Sequence, residues 1–353
     1  GVVRQITELW FSDTGRACYI GGPQTLREAD ERLLSQRPPM SFNRTPRSLK
    51  LRKYWKASEW ESWLLFYSLP CLKGILPAKF LEHFALLVSS VYTLLKSHVT
   101  LQEIDDCTLE ITKFVVMAEF TYGKAQMTSN MHTLLHLPKS VLLHGPLWAI
   151  SCFEFENNMG NLVKLVSSSN GIPFQILSRI LLTSNFNQLL SMASAEVKEL
   201  CLQTKRKERI GVQLLGRPQV PSHDLTDFVK SKISGVEEIE EYSRVCVDGC
   251  IVHSENYNPG LKKRNSTAAK LGNDYVKVEN LVNVCKVDGS SDIFIISDIY
   301  QVKSFEGVSH LKVARKCNSK VIHPISRSLR PCIYLELNGA MFFAELCNRY
   351  GSF

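Results

Sequence analysis

The sequence lacks a hydrophobic run that could cross a membrane. Its most apolar stretch, residues 84–95, is interrupted by Ser89 and Ser90 and is shorter than the roughly 20 residues that a membrane-spanning helix needs. The chain also opens without the basic segment and small-residue cleavage site of a secretory signal, so we expect none. A membrane is therefore not among the predicted partners.

Standard catalytic motifs are missing as well. The sequence contains no Gly-x-x-x-x-Gly-Lys-Ser/Thr phosphate loop, no Gly-x-Gly-x-x-Gly fingerprint, no His-Glu-x-x-His motif and no Gly-x-Ser-x-Gly elbow. Each of these motifs provides groups that its chemistry cannot do without. The common enzyme templates therefore fail, and we predict no small-molecule substrate.

No paired cysteine framework is visible either. The 11 cysteines are scattered singly from Cys18 to Cys347, which predicts reduced thiols in a cytosolic or nuclear protein. The 44% hydrophobic and 22% charged fractions are typical of a folded globular chain. A net charge of +8 is compatible with a polyanionic partner but does not establish one.

The pattern of residues divides the chain and predicts an α+β fold. Residues 1–50 are mixed, with a short helix at 2–10 and turn chemistry at Gly21-Gly22-Pro23 and Pro38-Pro39. Residues 51–205 have helical periodicity, and a charged, proline-containing linker, which starts in the basic run 205–209, is predicted at 206–240. Short strand patterns follow in residues 241–353, which we predict to form a small, β-rich, barrel-like module.

Start and stop signals set the expected helix bounds. The predicted helices cover 58–67, ended by Pro70, a stretch from Pro77, 100–122, a stretch from Ser129, 151–166 and 173–203. Thr100 followed by Glu103 predicts a capping box. The predicted strands cover 245–252, 275–278, 293–296, 311–314 and 333–337, with turns at 258–260 and Asn338-Gly339.

Two histidines are candidate metal ligands. His132 and His136 are four residues apart, so on a helix they share one face, as a ligand pair must. Two ligands do not complete a tetrahedral site. The alternative is a pair of helix histidines satisfied by local hydrogen bonds.

A carboxylate follows on the next predicted helix. Helical spacing places Phe155, Met159 and Val163 on one apolar stripe, with Glu156 at its flank and Glu154 pointing away. A carboxylate beside a buried face either pairs with a base, such as Lys164, or serves a site. Helix geometry leaves both possibilities open.

These residues belong to a longer pattern. Three segments together resemble the C-terminal region of CACTA-type transposases. They are Met-His-x-x-x-His-Leu at 131–137, Gly145-Pro146, and Phe-Glu-x-x-x-Gly-x-x-x-Lys at 155–164. Further segments are similar to the animal members of this family. They are residues 44–48, 54–60, 69–70 and 74–77, and near the C-terminus residues 251–254 with Tyr257, 263–266 and 347–348. The resemblance thus extends over nearly the whole chain.

The resemblance implies a DDE nuclease of RNase-H-like fold with an α-helical insertion, acting on DNA in the nucleus. Three carboxylates would hold two Mg²⁺ or Mn²⁺ ions, and Glu156 occupies the position of the third. His132 and His136 would hold a structural Zn²⁺ together with a Cys-x-x-Cys pair. The resemblance also allows for a homo-oligomer.

This sequence departs from the family pattern in two respects. It contains no Cys-x-x-Cys, and the two catalytic aspartates are expected N-terminal to Gly1, which suggests a fragment. The chain alone is therefore expected to hold no metal stably and to be inactive. The alternative is a degenerate or domesticated protein that binds DNA, chromatin or another protein without catalysis.

Overall fold

The computed structural model describes residues 1–42, 44–202, 211–257 and 264–347, except for the side chains of Glu154, Asn157, Glu199 and Asn318. The chain divides into two compact units. The first consists of residues 1–146 and 209–353, and the second of residues 147–208. The basic run 205–209 and the predicted turn at 258–260 lie outside the described residues.

Helices form the N-terminal part of the first unit. They are α1 Val2–Ser12, α2 Pro23–Leu34, α3 Ala57–Ser62, α4 Ser68–Leu72, α5 Ala78–Leu94, α6 Leu101–Tyr122, α7 Ser129–Thr133 and α8 Leu137–His144. Their core is aromatic: the Trp10 ring meets the Phe84 ring edge-on with centroids 4.9 Å apart. The indole Nε1 of Trp63 donates to Thr7 Oγ1 over 3.2 Å, so α1 packs against the segment that follows α3.

The predicted capping signals are confirmed in α6. Thr100 Oγ1 accepts from the Glu103 amide, and the Glu103 carboxylate accepts from the Thr100 amide. Gly123 ends this helix with φ 89°, which a residue without Cβ adopts most easily. Pro77, the predicted first residue of the next helix, is the N-cap of α5, so this helix begins one residue later than predicted.

Pro70 does not end its helix, contrary to the prediction. A π-helical turn, Trp63–Tyr67, joins α3 to α4, and Ser68 N donates to Trp63 O across five residues. In a π-helical turn each carbonyl accepts from the amide five residues further along the chain. The partner of the Leu65 carbonyl would therefore be the amide of Pro70, which has no N–H. His310 Nε2 donates to this carbonyl instead, over 2.7 Å, so a distant strand satisfies the group that proline leaves free.

The C-terminal part of the first unit is rich in strands. They are β1 Val212–Leu215, β2 Val236–Tyr242, β3 Arg244–Val247, β4 Cys250–His253, β5 Ala268–Leu271, β6 Asp274–Lys286, β7 Ser291–Phe305, β8 Val308–Pro324, β9 Arg330–Leu337 and β10 Ala340–Glu345. The predicted order, a mostly helical part followed by an antiparallel β-rich part, is confirmed.

All strand pairs are antiparallel. Strands β5, β6, β7, β8, β10 and β9 pair in that order, and β9 pairs back to β5. The hydrogen-bonded ladder therefore closes on itself, with β2 added alongside β6. A separate three-stranded sheet has the order β1-β3-β4.

Two-residue turns connect several of these strands. Asn338 and Gly339 both have positive φ, 49° and 78°, as a type I′ hairpin requires, and this predicted turn is confirmed. Asp248 and Gly249 form a similar turn, with φ 45° and 86°. The single strand predicted at 245–252 is therefore wrong: it is a hairpin of β3 and β4.

The described part of the predicted linker is not a plain connector. It contains β1, helix α12 His223–Lys232 and most of β2. Ser222 caps α12 by accepting from the Leu225 amide. Leu225 and Val229 then pack with Val282 of β6 and Ile296 of β7. This short amphipathic helix covers one face of the sheet, and tertiary packing outweighs the polar composition of the segment.

The helical and strand-rich parts of the first unit are joined through buried contacts. His310 of β8 stacks on Tyr92 of α5, with ring centroids 3.7 Å apart. Met40 N donates to Ser266 Oγ over 3.0 Å. The helices of residues 1–146 and the β-rich part thus share one folded unit.

The second unit contains α9 Cys152–Lys164, α10 Ile172–Met192 and α11 Ala195–Leu202. The single helix predicted at 173–203 is interrupted, because Ala193 adopts extended backbone with ψ 159°. None of the described residues of this unit is buried. Within the described ranges, no helix combines the length and apolarity needed to span a membrane.

Candidate functional site

The histidine pair lies at the end of the helical part of the first unit. Thr128 Oγ1 caps α7 by accepting from the Met131 amide over 3.4 Å. The chain then tightens into a 3₁₀ turn, Leu134–His136, before α8 begins. The prediction of one continuous helix is therefore wrong at this point. Met131 and Val141 are buried and anchor the segment, which leaves both histidines on the exposed side.

The two imidazoles are nevertheless neighbours. The ring centroids of His132 and His136 are 5.1 Å apart, at an interplanar angle of 82°. Neither ring forms a side-chain hydrogen bond with any described residue, which differs from the alternative in which local hydrogen bonds satisfy both. The pair is accessible and presents nitrogen lone pairs, which are suitable ligands for Zn²⁺.

The histidines are not part of a complete metal site within the described residues. No group of three or more His, Cys, Asp or Glu side chains converges there to hold an ion. Cys107, the nearest cysteine before the pair in sequence, is buried and its Sγ contacts Ser90 O at 3.7 Å. Two imidazoles alone fill half of a tetrahedral site.

This geometry predicts weak zinc binding. We expect the isolated chain to lose Zn²⁺ on dialysis, and the double variant His132→Ala/His136→Ala to lower the residual binding further. Zinc retained after dialysis can be measured by atomic absorption. One equivalent retained by the wild-type chain would show that other side chains complete the site and that our assignment of the pair is wrong.

Glu156 lies in the second unit, on α9. Ser151 Oγ caps this helix by accepting from the Phe153 amide over 3.3 Å. The apolar stripe of Phe155, Met159 and Val163 is present, but it is exposed instead of buried, because no described residue covers it. Glu156, at its flank, is exposed as well. The expectation that Glu156 lies beside a buried face is therefore wrong.

The Glu156 carboxylate has no counter-charge in the described part of the chain. Lys164, the candidate partner, donates instead to Asn161 Oδ1 over 3.1 Å. The alternative of a structural ion pair with Lys164 thus does not match the geometry. The side chain of Glu154 lies outside the described residues.

Substitution of Glu156 should be nearly silent in stability. Because an exposed, unpaired carboxylate contributes little to folding, Glu156→Gln should change the free energy of unfolding by less than about 0.5 kcal/mol. Glu59→Gln is the contrasting control. Burial by itself would raise the pKa of Glu59, but hydrogen bonds from Arg47 and from the Lys56 amide lower it.

The Glu59 control is expected to lose about 2 kcal/mol, since it leaves the Arg47 guanidinium without its carboxylate. Urea titrations of both variants and of the wild type would measure the difference. A loss at Glu156 comparable with that at Glu59 would identify Glu156 as a structural partner.

A basic segment forms a second candidate site. Residues 44–56 contain six basic residues and no acid, namely Arg44, Arg47, Lys50, Arg52, Lys53 and Lys56. The sequence pattern alone did not single out this segment as a site, although its charge run is visible. Two of its arginines form ion pairs: Arg47 with Glu59, and Arg52 with Glu8. Within the described residues, the other four cations form no ion pair.

The backbone holds this segment at the surface. The Asp30 carboxylate accepts from the Leu49 amide over 2.6 Å and from Ser48 Oγ over 2.7 Å, which fixes the 3₁₀ turn Leu49–Tyr54. Leu49 is buried, whereas Lys50, Lys53 and Tyr54 are exposed. The Lys53 ammonium lies 4.8 Å from the centroid of the Tyr54 ring. Exposed cations beside an aromatic ring are suited to a nucleic-acid backbone and its bases.

No family model matches the chain, and neither a curated protein nor a solved structure matches it.

Proposed function

We propose that this chain is the downstream part of a CACTA-type DDE transposase, whose intact form has an RNase-H-like core with a helical insertion. In this proposal His132 and His136 are zinc ligands and Glu156 is the third carboxylate for Mg²⁺ or Mn²⁺. The observation that supports it best is that these three side chains are exposed and make no ion pair within the described residues. Side chains of this kind are not held by ion pairs within the fold and are therefore free to bind ions.

The types of ligand in this chain suit the proposed ions, but the number of ligands is too small. Imidazoles suit Zn²⁺ and carboxylates suit Mg²⁺. A bound metal pair would supply activation of water or of a 3′ hydroxyl and stabilisation of the leaving oxygen. One carboxylate cannot hold two ions, so we propose that the chain alone is catalytically inactive. The contribution of this chain is Glu156, the histidine pair and DNA contacts.

The proposed partner is DNA, and the proposed location is the nucleus. The basic segment 44–56 supports this proposal because four of its cations are unpaired within the described residues and lie at the surface. Contacts to phosphates position a protein on DNA and release counterions, so they make binding salt-dependent.

DNA binding is tested by removing two of these cations. Lys50→Ala/Lys53→Ala should bind a short duplex about 10-fold more weakly at moderate salt and should lower the slope of log K against log salt by about 2. Fluorescence anisotropy measures both quantities. Lys230→Ala/Lys232→Ala removes two exposed lysines of α12 and is the matched control. Equal losses in both double variants, or no binding by the wild type, would contradict a DNA interface at 44–56.

A non-catalytic DNA- or protein-binding protein is the second candidate. One observation favours it: the exposed cations of residues 44–56 can contact phosphates without a bound metal ion. The two candidates agree on the DNA interface and differ in whether Glu156 and the histidines have partners that complete a metal centre.

A further inference from the structure

A small cavity lies in the first unit beside the start of the basic segment. Its walls include Arg44, Arg47, Trp55, Glu59 and Tyr67. The cavity measures about 20 Å³, and a single water molecule needs about 10–15 Å³ of such space. It therefore admits one small polar group, such as one oxygen atom of a larger ligand, and is too small for a whole metabolite.

One wall of this cavity carries a hydrogen-bond donor without an acceptor. The Trp55 side chain is 8% exposed, and its indole Nε1 is buried without a hydrogen-bond partner among the described residues. A buried N–H group without a partner is costly, and native structures normally provide one from the protein or from a bound molecule. The Trp55 N–H thus predicts an acceptor that this chain does not supply.

A second unmatched donor comes from the β-rich part. Arg264 Nη1 is buried and has no hydrogen-bond partner in the described part of the chain. Burial lowers the pKa of Arg264, whereas its neighbour Tyr67, which lines the cavity, opposes the shift. The Asn265 amide donates to Pro38 O over 3.0 Å and holds this arginine against the helical part. Because buried charges are normally paired, Arg264 indicates a missing anion.

The charges around the cavity also favour an anion. Glu59 is the one carboxylate among the described residues that line it, and both of its oxygens accept from Arg47. This pair is therefore neutral. Arg44 is exposed and, like Arg264, forms no ion pair within the described residues. Guanidinium and indole N–H groups can only donate, so the missing partner is an acceptor with negative charge.

We propose that this cavity binds one oxyanion of the phosphate class, with one oxygen at Trp55 Nε1 and the others between the guanidinium groups of Arg44 and Arg264. Planar guanidinium groups suit phosphate oxygens because they can donate two N–H groups at once. Free phosphate and a phosphate group of DNA present the same oxygens. The site follows from the unmatched donors and does not depend on the proposed transposase chemistry.

The test is equilibrium dialysis of the full chain against radiolabelled inorganic phosphate at constant ionic strength. The wild type should bind one equivalent saturably. Trp55→Phe and Arg264→Gln should each raise the dissociation constant about 10-fold or more, because each removes a hydrogen bond to a charged group. Arg44→Gln should weaken binding as well. Since Arg44 is exposed, this variant keeps the test valid if Trp55→Phe disturbs the core.

Two substitutions outside the cavity are matched controls. The Trp60 ring lies 4.9 Å from the Trp55 ring but does not line the cavity, and Arg27 is an exposed arginine of α2. Trp60→Phe and Arg27→Gln should leave the dissociation constant within about 2-fold. No saturable phosphate binding by the wild type would overturn the proposal and assign the cavity to water. Equal weakening by Trp60→Phe and Trp55→Phe would overturn it too.

A further arm separates the two sources of phosphate. A short DNA duplex that displaces the labelled phosphate would identify the DNA backbone as the source, whereas retention of the label would identify free phosphate. Lys50→Ala/Lys53→Ala, which tests the DNA interface, should leave phosphate binding within about 2-fold, because screening weakens distant exposed charges. The anion site and the DNA interface can therefore fail independently.

Discussion

Replacement of Trp63 with alanine is expected to lower the free energy of unfolding by about 3–5 kcal/mol. The Trp63 side chain is 1% exposed and lies in the π-helical turn that joins α3 to α4. Its ring contacts the Trp55 ring edge-on, with centroids 5.9 Å apart, and its Nε1 donates to Thr7 Oγ1. The substitution would leave a large cavity and remove the donor that reaches α1.

Trp148→Ala is the control for this experiment. Trp148 is 36% exposed in the second unit, so its loss should cost less than about 1 kcal/mol. Urea unfolding followed by circular dichroism measures both variants against the wild type. Equal destabilisation by the two substitutions would show that the core of the first unit is not centred on Trp63.

Acidification is expected to destabilise the protein through His310. Burial, with a smaller contribution from the charges of Lys312 and Lys96, lowers the pKa of His310 to about 3, although the hydrogen bond to Leu65 O opposes the shift. The ring is therefore neutral in the folded chain, whereas the unfolded chain protonates it below about pH 6.5. Because the unfolded state then binds more protons, stability falls as the pH drops from about 6.5 towards 3.

The size of this effect is measurable with one variant. At about 1.4 kcal/mol per pH unit, the wild type should lose about 2–3 kcal/mol between pH 6.5 and 4.5 through this residue. His310→Gln keeps an N–H donor for Leu65 O but does not titrate. It should be about 1–2 kcal/mol less stable at pH 7, where the stacking on Tyr92 is lost.

At pH 4.5 the deficit of His310→Gln should disappear or reverse, because the wild type loses about 2–3 kcal/mol that the variant keeps. His83, His253 and His323, whose pKa values burial also lowers, are present in both proteins and cancel in the comparison. Urea titrations of both proteins at pH 7 and pH 4.5 measure how the difference between their free energies of unfolding changes with pH. Parallel loss of stability in both proteins would mean that His310 is not the group responsible.

Local chemistry explains which elements the sequence predicts well. Two predicted features depend only on neighbouring residues, so the sequence alone is sufficient to predict them. They are the capping box at Thr100 and Glu103 and the turn at Asn338-Gly339. The start of α2 at Pro23 is hidden by the turn chemistry of Gly21-Gly22-Pro23, although proline also suits the first turn of a helix. Helix α12 is short and polar, and its stability comes from packing on a sheet that is distant in sequence.

Long-range contacts explain the remaining differences. No local signal near Pro70 indicates that His310, on a strand far along the chain, supplies the missing donor for Leu65 O. Helical spacing correctly places Glu156 at the flank of an apolar stripe, but spacing cannot show whether any surface covers that stripe. The separation of four residues correctly predicts that His132 and His136 are neighbours, although a 3₁₀ turn interrupts the helix at Leu134–His136.

The central claim, that Glu156 and the histidine pair belong to a transposase metal centre, is tested most directly by the complete transcript that encodes this chain. We expect an open reading frame that continues upstream of Gly1 and encodes two aspartates and a Cys-x-x-Cys pair. A stop codon directly upstream, or an unrelated exon without these residues, would contradict the catalytic proposal and favour the non-catalytic DNA-binding protein.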